Sequence, residues 1–182
     1  MRLQVFAESD DPFPELFAHA RRRAFHLETQ DSYLVGDEDD SLRRFLAGEP
    51  ALPPPASWRA WRELVRTSTE RGVAVQRVRV VTEPHSDYVR WLIATTNAGD
   101  LGAYEDIRWM PRHLAEGGYT LDDWWLFDED LLAYNLVDAG GNAAGVAVTE
   151  DPLTIAVCRS VRDRLWAGAV PHTDYIREHV SG

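Results

Sequence analysis

The sequence predicts an α/β (or α+β) fold: one mixed sheet flanked by helices, in a single domain spanning 1–182. Three observations predict it. Residues Val73 to Val81 are rich in β-branched side chains and alternate as a strand does. Residues Trp124 to Asn135 read as a hairpin, two aromatic and aliphatic runs joined at Asp128-Glu129-Asp130. Asp151-Pro152 opens a helically spaced run that ends at Gly168. The order helix–strand–helix–strand–strand–strand–strand–helix then indicates a sheet with both parallel and antiparallel pairs. A chain of 182 residues can bury a core of its own.

Taken in order, Pro14 to Arg23 suits a short helix ending in three arginines, which favour its dipole. Ala24 to Glu28 alternates, with Phe25 and Leu27 on one face and His26 and Glu28 on the other. Asp37 to Asp40 loads acid onto a helix start, and Gly48 closes that helix. Residues 49–57 hold four prolines and read as a stiff extended connector. Ser57 caps a helix to Arg71 that stops at Gly72. Its apolar stripe is Trp58, Trp61, Leu64 and Val65, with Arg59, Arg62 and Arg66 opposite. Pro84 to Thr96 forms the next helix, with Tyr88, Trp91 and Leu92 inward. Asp106 to Met110 is a strand with Asp106 and Arg108 on one face. Residues 138–142 turn the chain, Ala143 to Thr149 returns as a strand, and Thr173 caps a last short helix.

Charge and composition narrow the function. The net charge of −11 argues against direct nucleic-acid binding, because such a field repels polyanions. All 19 basic residues are arginine, so lysine Schiff bases and a P-loop lysine are excluded. Cys158 is the single cysteine, which rules out an intrachain disulfide and a multi-cysteine metal site. The six histidines have no metal-ligand spacing, so neither metal nor cofactor is expected. No apolar run reaches the roughly 18 residues of a membrane span, and the N-terminus lacks a signal-peptide pattern. A cytoplasmic location and no membrane contact are the expectations.

Catalytic motifs fail in turn. His26-Leu27-Glu28 has the H-x-E of zinc deaminases without their cysteine pair. Gly140-Gly141-Asn142-Ala143-Ala144-Gly145 could cradle an anion or simply turn a hairpin. His85, after a strand and at a helix start, is a general-base candidate, and His26, Glu28 and Asp128 complete the catalytic candidates. Arg77 and Arg79 share a face with Val73, Val75 and Val81. Either that face is an edge or half-open, or a polar pocket lies over the sheet, since a buried arginine must find a carboxylate, a ligand or water. Arg162, near the apolar stripe of Val157, Cys158, Val161 and Leu165, is expected to be buried and paired with Asp128, with Trp166 stacked on it.

These residues resemble an actinobacterial domain family to which no activity is assigned. The resemblance runs from about Phe17 to Tyr175. It is carried by Phe25-His26-Leu27-Glu28 with Asp31 and Tyr33, by Arg79 with Pro84 and Ser86 to Trp91, and by Glu105 to Trp109 with Pro111 and Arg112. Trp125 to Asp128, Asp151-Pro152, Arg162-Asp163, Trp166 and Pro171-His172 complete it. Members are commonly encoded beside helix-turn-helix regulators, which implies such a regulator as a partner. The chain is also loosely similar to the phospholipase-D-like fold, through Arg71-Gly72-Val73 and the strand ending at Asp128. The histidine and lysine of that chemistry have no counterparts here, so the likeness implies a non-catalytic relative.

Two functions follow as expectations. The first is a non-catalytic module that binds a small anionic ligand or a protein in a regulatory role. Arg77, Arg79, Arg108 and Arg162 would supply charge, Trp109 or Trp125 an aromatic wall, and Asp128 a further contact. The second is a metal-independent hydrolase or transferase of secondary metabolism that uses a histidine–carboxylate pair.

Overall fold

The computed structural model describes residues 3–7, 11–33, 38–50, 56–97, 104–120, 122–139 and 142–179. Eight strands form one sheet: β1 (Leu3–Phe6), β2 (Arg23–Glu28), β3 (Ala74–Val81), β4 (Asp106–Pro111), β5 (Trp124–Phe127), β6 (Leu131–Val137), β7 (Ala143–Thr149) and β8 (Val170–Pro171). The helices are α1 (Phe13–His19), α2 (Asp39–Leu46), α3 (Ala56–Glu70), α4 (Asp87–Asn97), α5 (Pro152–Gly168) and α6 (His172–His179). The strand order is β1-β7-β6-β5-β2-β3-β4-β8. Strands β2, β3 and β4 pair in parallel, and every other pairing is antiparallel. The sheet is therefore mixed, with β3 beside the central pair β5–β2. Much of the proline-rich connector lies outside the described residues, as do Gly140 and Gly141.

Pleating gives the sheet two faces of different character. One face sends Phe25, Leu27, Val78, Val80, Trp124, Leu126 and Leu132 against Ile155, Cys158, Val161 and Leu165 of α5. Each of these large side chains contributes roughly 1.5–3 kcal/mol by leaving water. Helix α5 starts where the sequence places it: Asp151 accepts from the Thr154 N–H at 3.0 Å, a cap worth about 1 kcal/mol. The other face carries two separate apolar clusters. Leu16 and Phe17 of α1 and Val65 of α3 pack on Trp125, Phe127, Ala133 and Val148. Val89, Trp91 and Leu92 of α4 and Tyr175 of α6 pack on Ile107 and Trp109. Between these clusters the face is polar. Helix α3 ends at Gly72, whose φ of 93° is open to glycine and strained for other residues.

Three expectations need correction. Arg162 is buried, at 3% exposure, but Asp128 is not its partner. Its Nη2 donates to Glu129 at 3.2 Å and its Nε to Asp163 at 2.9 Å. Asp128 sits at a left-handed φ of 48°, which turns its carboxylate back toward the start of β2. There it accepts from the N–H groups of Arg21, Arg22 and Arg23 at 3.0, 2.8 and 2.9 Å. Glu129, one residue further round the turn, is the carboxylate that reaches α5. Second, Val157 is 58% exposed; the buried stripe of α5 runs Ile155, Cys158, Val161, Arg162 and Leu165. Third, Trp166 stacks on Arg108 rather than Arg162, with the guanidinium carbon 3.8 Å from the ring centroid.

Candidate functional site

The polar seam between the two clusters is built row by row from the strands. One row across the sheet is Ala133, Trp125, His26, Arg77 and Ile107. The next contains Glu28, Arg79 and Trp109. Asp123 extends it one place beyond β5, with its carbonyl accepting from the Asn135 N–H at 2.9 Å. Helices α1, α3 and α4 and the segments at Tyr33 and Glu38 partly roof this patch and leave a half-open cavity of about 430 Å³. Phe13, Trp58, Trp61, Tyr88 and Leu92 form the apolar part of the roof.

Electrostatics inside the cavity are dominated by paired charges. Arg77 Nε and Nη2 donate to Glu105 at 2.8 and 3.2 Å, and its Nη1 donates to Glu28. Arg79 donates through Nε to the other oxygen of Glu28 and through Nη1 to Thr96 at 3.3 Å. Burial opposes the Glu28 charge, but the pull of Arg77 and Arg79 outweighs it and holds the carboxyl well below the usual range. Asp123 and Glu38 have no ion-pair partner among the described residues. Asp123 accepts from the Thr29 N–H at 2.7 Å and from the hydroxyls of Thr29 and Tyr33. Glu38 accepts from Trp58 Nε1 at 3.3 Å and Tyr88 at 2.7 Å. Burial, reinforced by the negative Glu28 nearby, raises both, Asp123 to about 6.

His26 stacks on Trp125, with ring centroids 4.2 Å apart. Its Nε2 faces the Asn135 side-chain amide at 3.3 Å, and its Nδ1 lies 3.5 Å from Glu28. Burial and the charge of Arg77 push its pKa well down, so the imidazole is neutral near pH 7. Two buried polar atoms here have no hydrogen-bond partner: His26 Nδ1 and Asn135 Oδ1. Both residues line the cavity.

The structure brings His26, Glu28, Arg77, Arg79 and Trp125 together in this cavity. Trp109 stands behind Arg79, whose guanidinium carbon is 5.3 Å from its ring centroid. Arg108 faces α5 and Arg162 belongs to it, both on the opposite side of the sheet, and Asp128 lies at the hairpin end. None of these three lines the cavity. His85 lies elsewhere, 3.0 Å from the Tyr175 hydroxyl and 3.1 Å from the Thr82 carbonyl. Sequence reasoning missed Asp123, Glu105, Glu38 and Asn135. Asp123 and Glu105 carry one usable signal: each sits two residues before a residue of the polar face, Trp125 and Ile107, and so shares that face.

The sequence profile of the family described as Domain of unknown function (DUF6879) matches residues 11–177. The chain belongs to this family. Of the residues that carry the resemblance, His26, Glu28, Tyr33, Arg79, Tyr88, Glu105, Ile107 and Trp125 line the cavity of this DUF6879 domain. No curated protein matches the sequence. Among solved structures, TrmBL2, described as an archaeal chromatin protein with a novel mode of DNA binding, is similar with a TM-score of 0.53 at 13% identity. The likeness covers 94% of this chain and 53% of that one, so the chain spans about half its length. At this identity it shows a shared fold alone. A phosphatidylserine synthase of Haemophilus influenzae Rd KW20 gives a TM-score of 0.47 at 10% identity, over 93% of this chain and 38% of that one.

The expected partners are corrected on two counts. A fold shared with a DNA-binding chromatin protein overturns the exclusion of nucleic acid. That exclusion rested on net charge, a whole-chain sum that is silent on where charge sits. The small anionic ligand is overturned by the site itself: Glu28 and Glu105 already occupy the buried guanidinium groups. No helix among the described residues is long and apolar enough to cross a membrane.

Proposed function

We propose that this DUF6879 domain is a non-catalytic ligand-binding module whose site is the roofed cavity over β2, β3 and β5. The observation that carries this reading is the pair of unsatisfied buried atoms, His26 Nδ1 and Asn135 Oδ1, in a cavity of about 430 Å³. A buried polar group without a partner costs roughly 1–3 kcal/mol, so a ligand that satisfies both recovers that cost on binding. The cavity size suits a small organic molecule. A regulatory role follows if occupancy orders the roof formed by α3, α4 and the Glu38 segment.

The histidine–carboxylate pair argues for binding rather than turnover. His26 and Glu28 are 3.5 Å apart without a hydrogen bond, and Glu28 is committed to two arginines. A general base must become positive as it takes a proton, and Arg77 opposes that on His26. The test is thermal melting with small aromatic compounds of varied charge, alongside tryptophan fluorescence, since Trp58, Trp61 and Trp125 line the cavity. A ligand at a hundred times its Kd stabilises by about 2.7 kcal/mol. For a chain of this size that raises Tm by roughly 5–10 °C. Melting unaffected by every compound, with unchanged fluorescence, overturns the reading.

A further inference from the structure

The charge pattern of the cavity, taken together with its aromatic roof, identifies the ligand class, on the footing that the cavity binds a ligand at all. Its described lining includes four carboxylates, Glu28, Glu38, Glu105 and Asp123, against two guanidinium groups, Arg77 and Arg79. Glu28 and Glu105 are consumed by those arginines. Glu38 and Asp123 keep only neutral donors, and His26 adds no charge. The unpaired charge of the site is therefore negative and sits beside aromatic rings. Tyr33 and Tyr88, which donate to Asp123 and Glu38, have ring centroids 5.8 Å apart. Carboxylates with tyrosine and tryptophan faces around them form the setting in which organic cations are held, by Coulomb attraction and by the ring quadrupoles.

We propose that the ligand is a small organic cation, a protonated amine or quaternary ammonium group on an apolar body, with its charge facing Asp123 and Glu38 and its body against the aromatic roof. Where the ligand is a protonated amine, its N–H also supplies the donor that Asn135 Oδ1 lacks. The raised carboxyl groups are what the cation relieves: each is harder to ionise in the empty cavity than in water, and a bound positive charge reverses that.

The test is isothermal titration calorimetry of the intact chain with three probes of matched size: phenethylamine, 2-phenylethanol and phenylacetate. The amine is expected to bind at least about tenfold more tightly than the alcohol, and phenylacetate more weakly than either. Asp123→Asn and Glu38→Gln should each weaken the amine about tenfold and leave the alcohol unchanged, with folding verified by circular dichroism. If the alcohol or phenylacetate binds as tightly as the amine, the cation assignment falls while the ligand-binding reading stands. An amine preference that survives in both variants also overturns the assignment, because the charge is then read elsewhere. If none of the three binds, the assignment and the underlying reading fall together.

Discussion

Replacing Glu28 by glutamine should destabilise the protein more than any other single isosteric change in the cavity. The carboxylate is 12% exposed and bridges two guanidinium groups. The consequences for those two differ. Arg77 retains both of its bonds to Glu105, at 2.8 and 3.2 Å. Arg79 retains only the Thr96 hydroxyl at 3.3 Å and the face of Trp109. One buried cation is thus stranded, which costs roughly 3–5 kcal/mol, a large part of the roughly 5–15 kcal/mol that holds a domain folded. At about 2–4 °C per kcal/mol, Tm should fall by at least about 6 °C. Urea denaturation followed by tryptophan fluorescence measures the loss. Glu28→Gln combined with Arg79→Met should recover part of it, because the stranded charge is gone, with a coupling energy of about 1–3 kcal/mol. The pH dependence has a fixed sign. The folded pKa of Glu28 is depressed, so its stabilisation is present above the unfolded value and is lost as pH falls toward the folded one. Acid unfolding of Glu28→Gln should accordingly be shallower than that of the parent. A variant as stable as the parent at pH 7, or strictly additive with Arg79→Met, would refute the reasoning.

Asp123 has the opposite sign: its folded pKa is raised to about 6, so ionisation costs stability above that pH, by up to about 3 kcal/mol, and costs nothing below the unfolded value. Asp123→Asn should gain stability relative to the parent as pH rises through 6, with Glu28, Glu38, His26 and Tyr33 as the charged and titratable neighbours; melts at pH 4.5 and pH 8 that differ by the same amount would contradict this. Exchanging His26 and Asn135 together for leucine removes both unsatisfied atoms, and should leave the empty protein as stable or more so while abolishing fluorescence changes with added ligand. Asp128→Ala should cost about 2–3 kcal/mol by releasing three N–H groups, and should be additive with Arg162→Ala within about 0.5 kcal/mol in chemical denaturation.

How much of this was legible in the sequence depends on the range of the interaction. Helix α5 and the β5–β6 hairpin were readable to within a residue or two, because capping and turn chemistry are local. Strand β3 was equally plain. The four-residue β1 and the two-residue β8 were not read, since segments that short carry no period and are defined by their partners β7 and β4. The anomaly of Arg77 and Arg79 within a valine strand was visible, and so was their need for a partner. The identity of the partners was not. Glu105 and Asp123 share the face by alternation but lie just outside their strands, and Glu38, before α2, carries no such signal. Asp128 was overvalued for the same reason. Its acid was legible, but the backbone conformation that aims it at Arg21 to Arg23 was not.

That turn has a consequence for how the site can change. Asp128 ties the end of β5 to the start of β2, and so fixes which residue of one strand stands beside which residue of the other. A slip of a single position would carry His26 and Glu28 to the α5 side and bring Phe25 and Leu27 into the cavity. The alignment is held by main-chain N–H groups and so does not depend on what the cavity contains. Residues 28 and 79, replaced together so that neither charge is stranded, can therefore change without renegotiating the frame, much as a lock can be re-keyed without replacing the door. Relatives built on this frame should share the knot at the hairpin and differ in the molecule they admit.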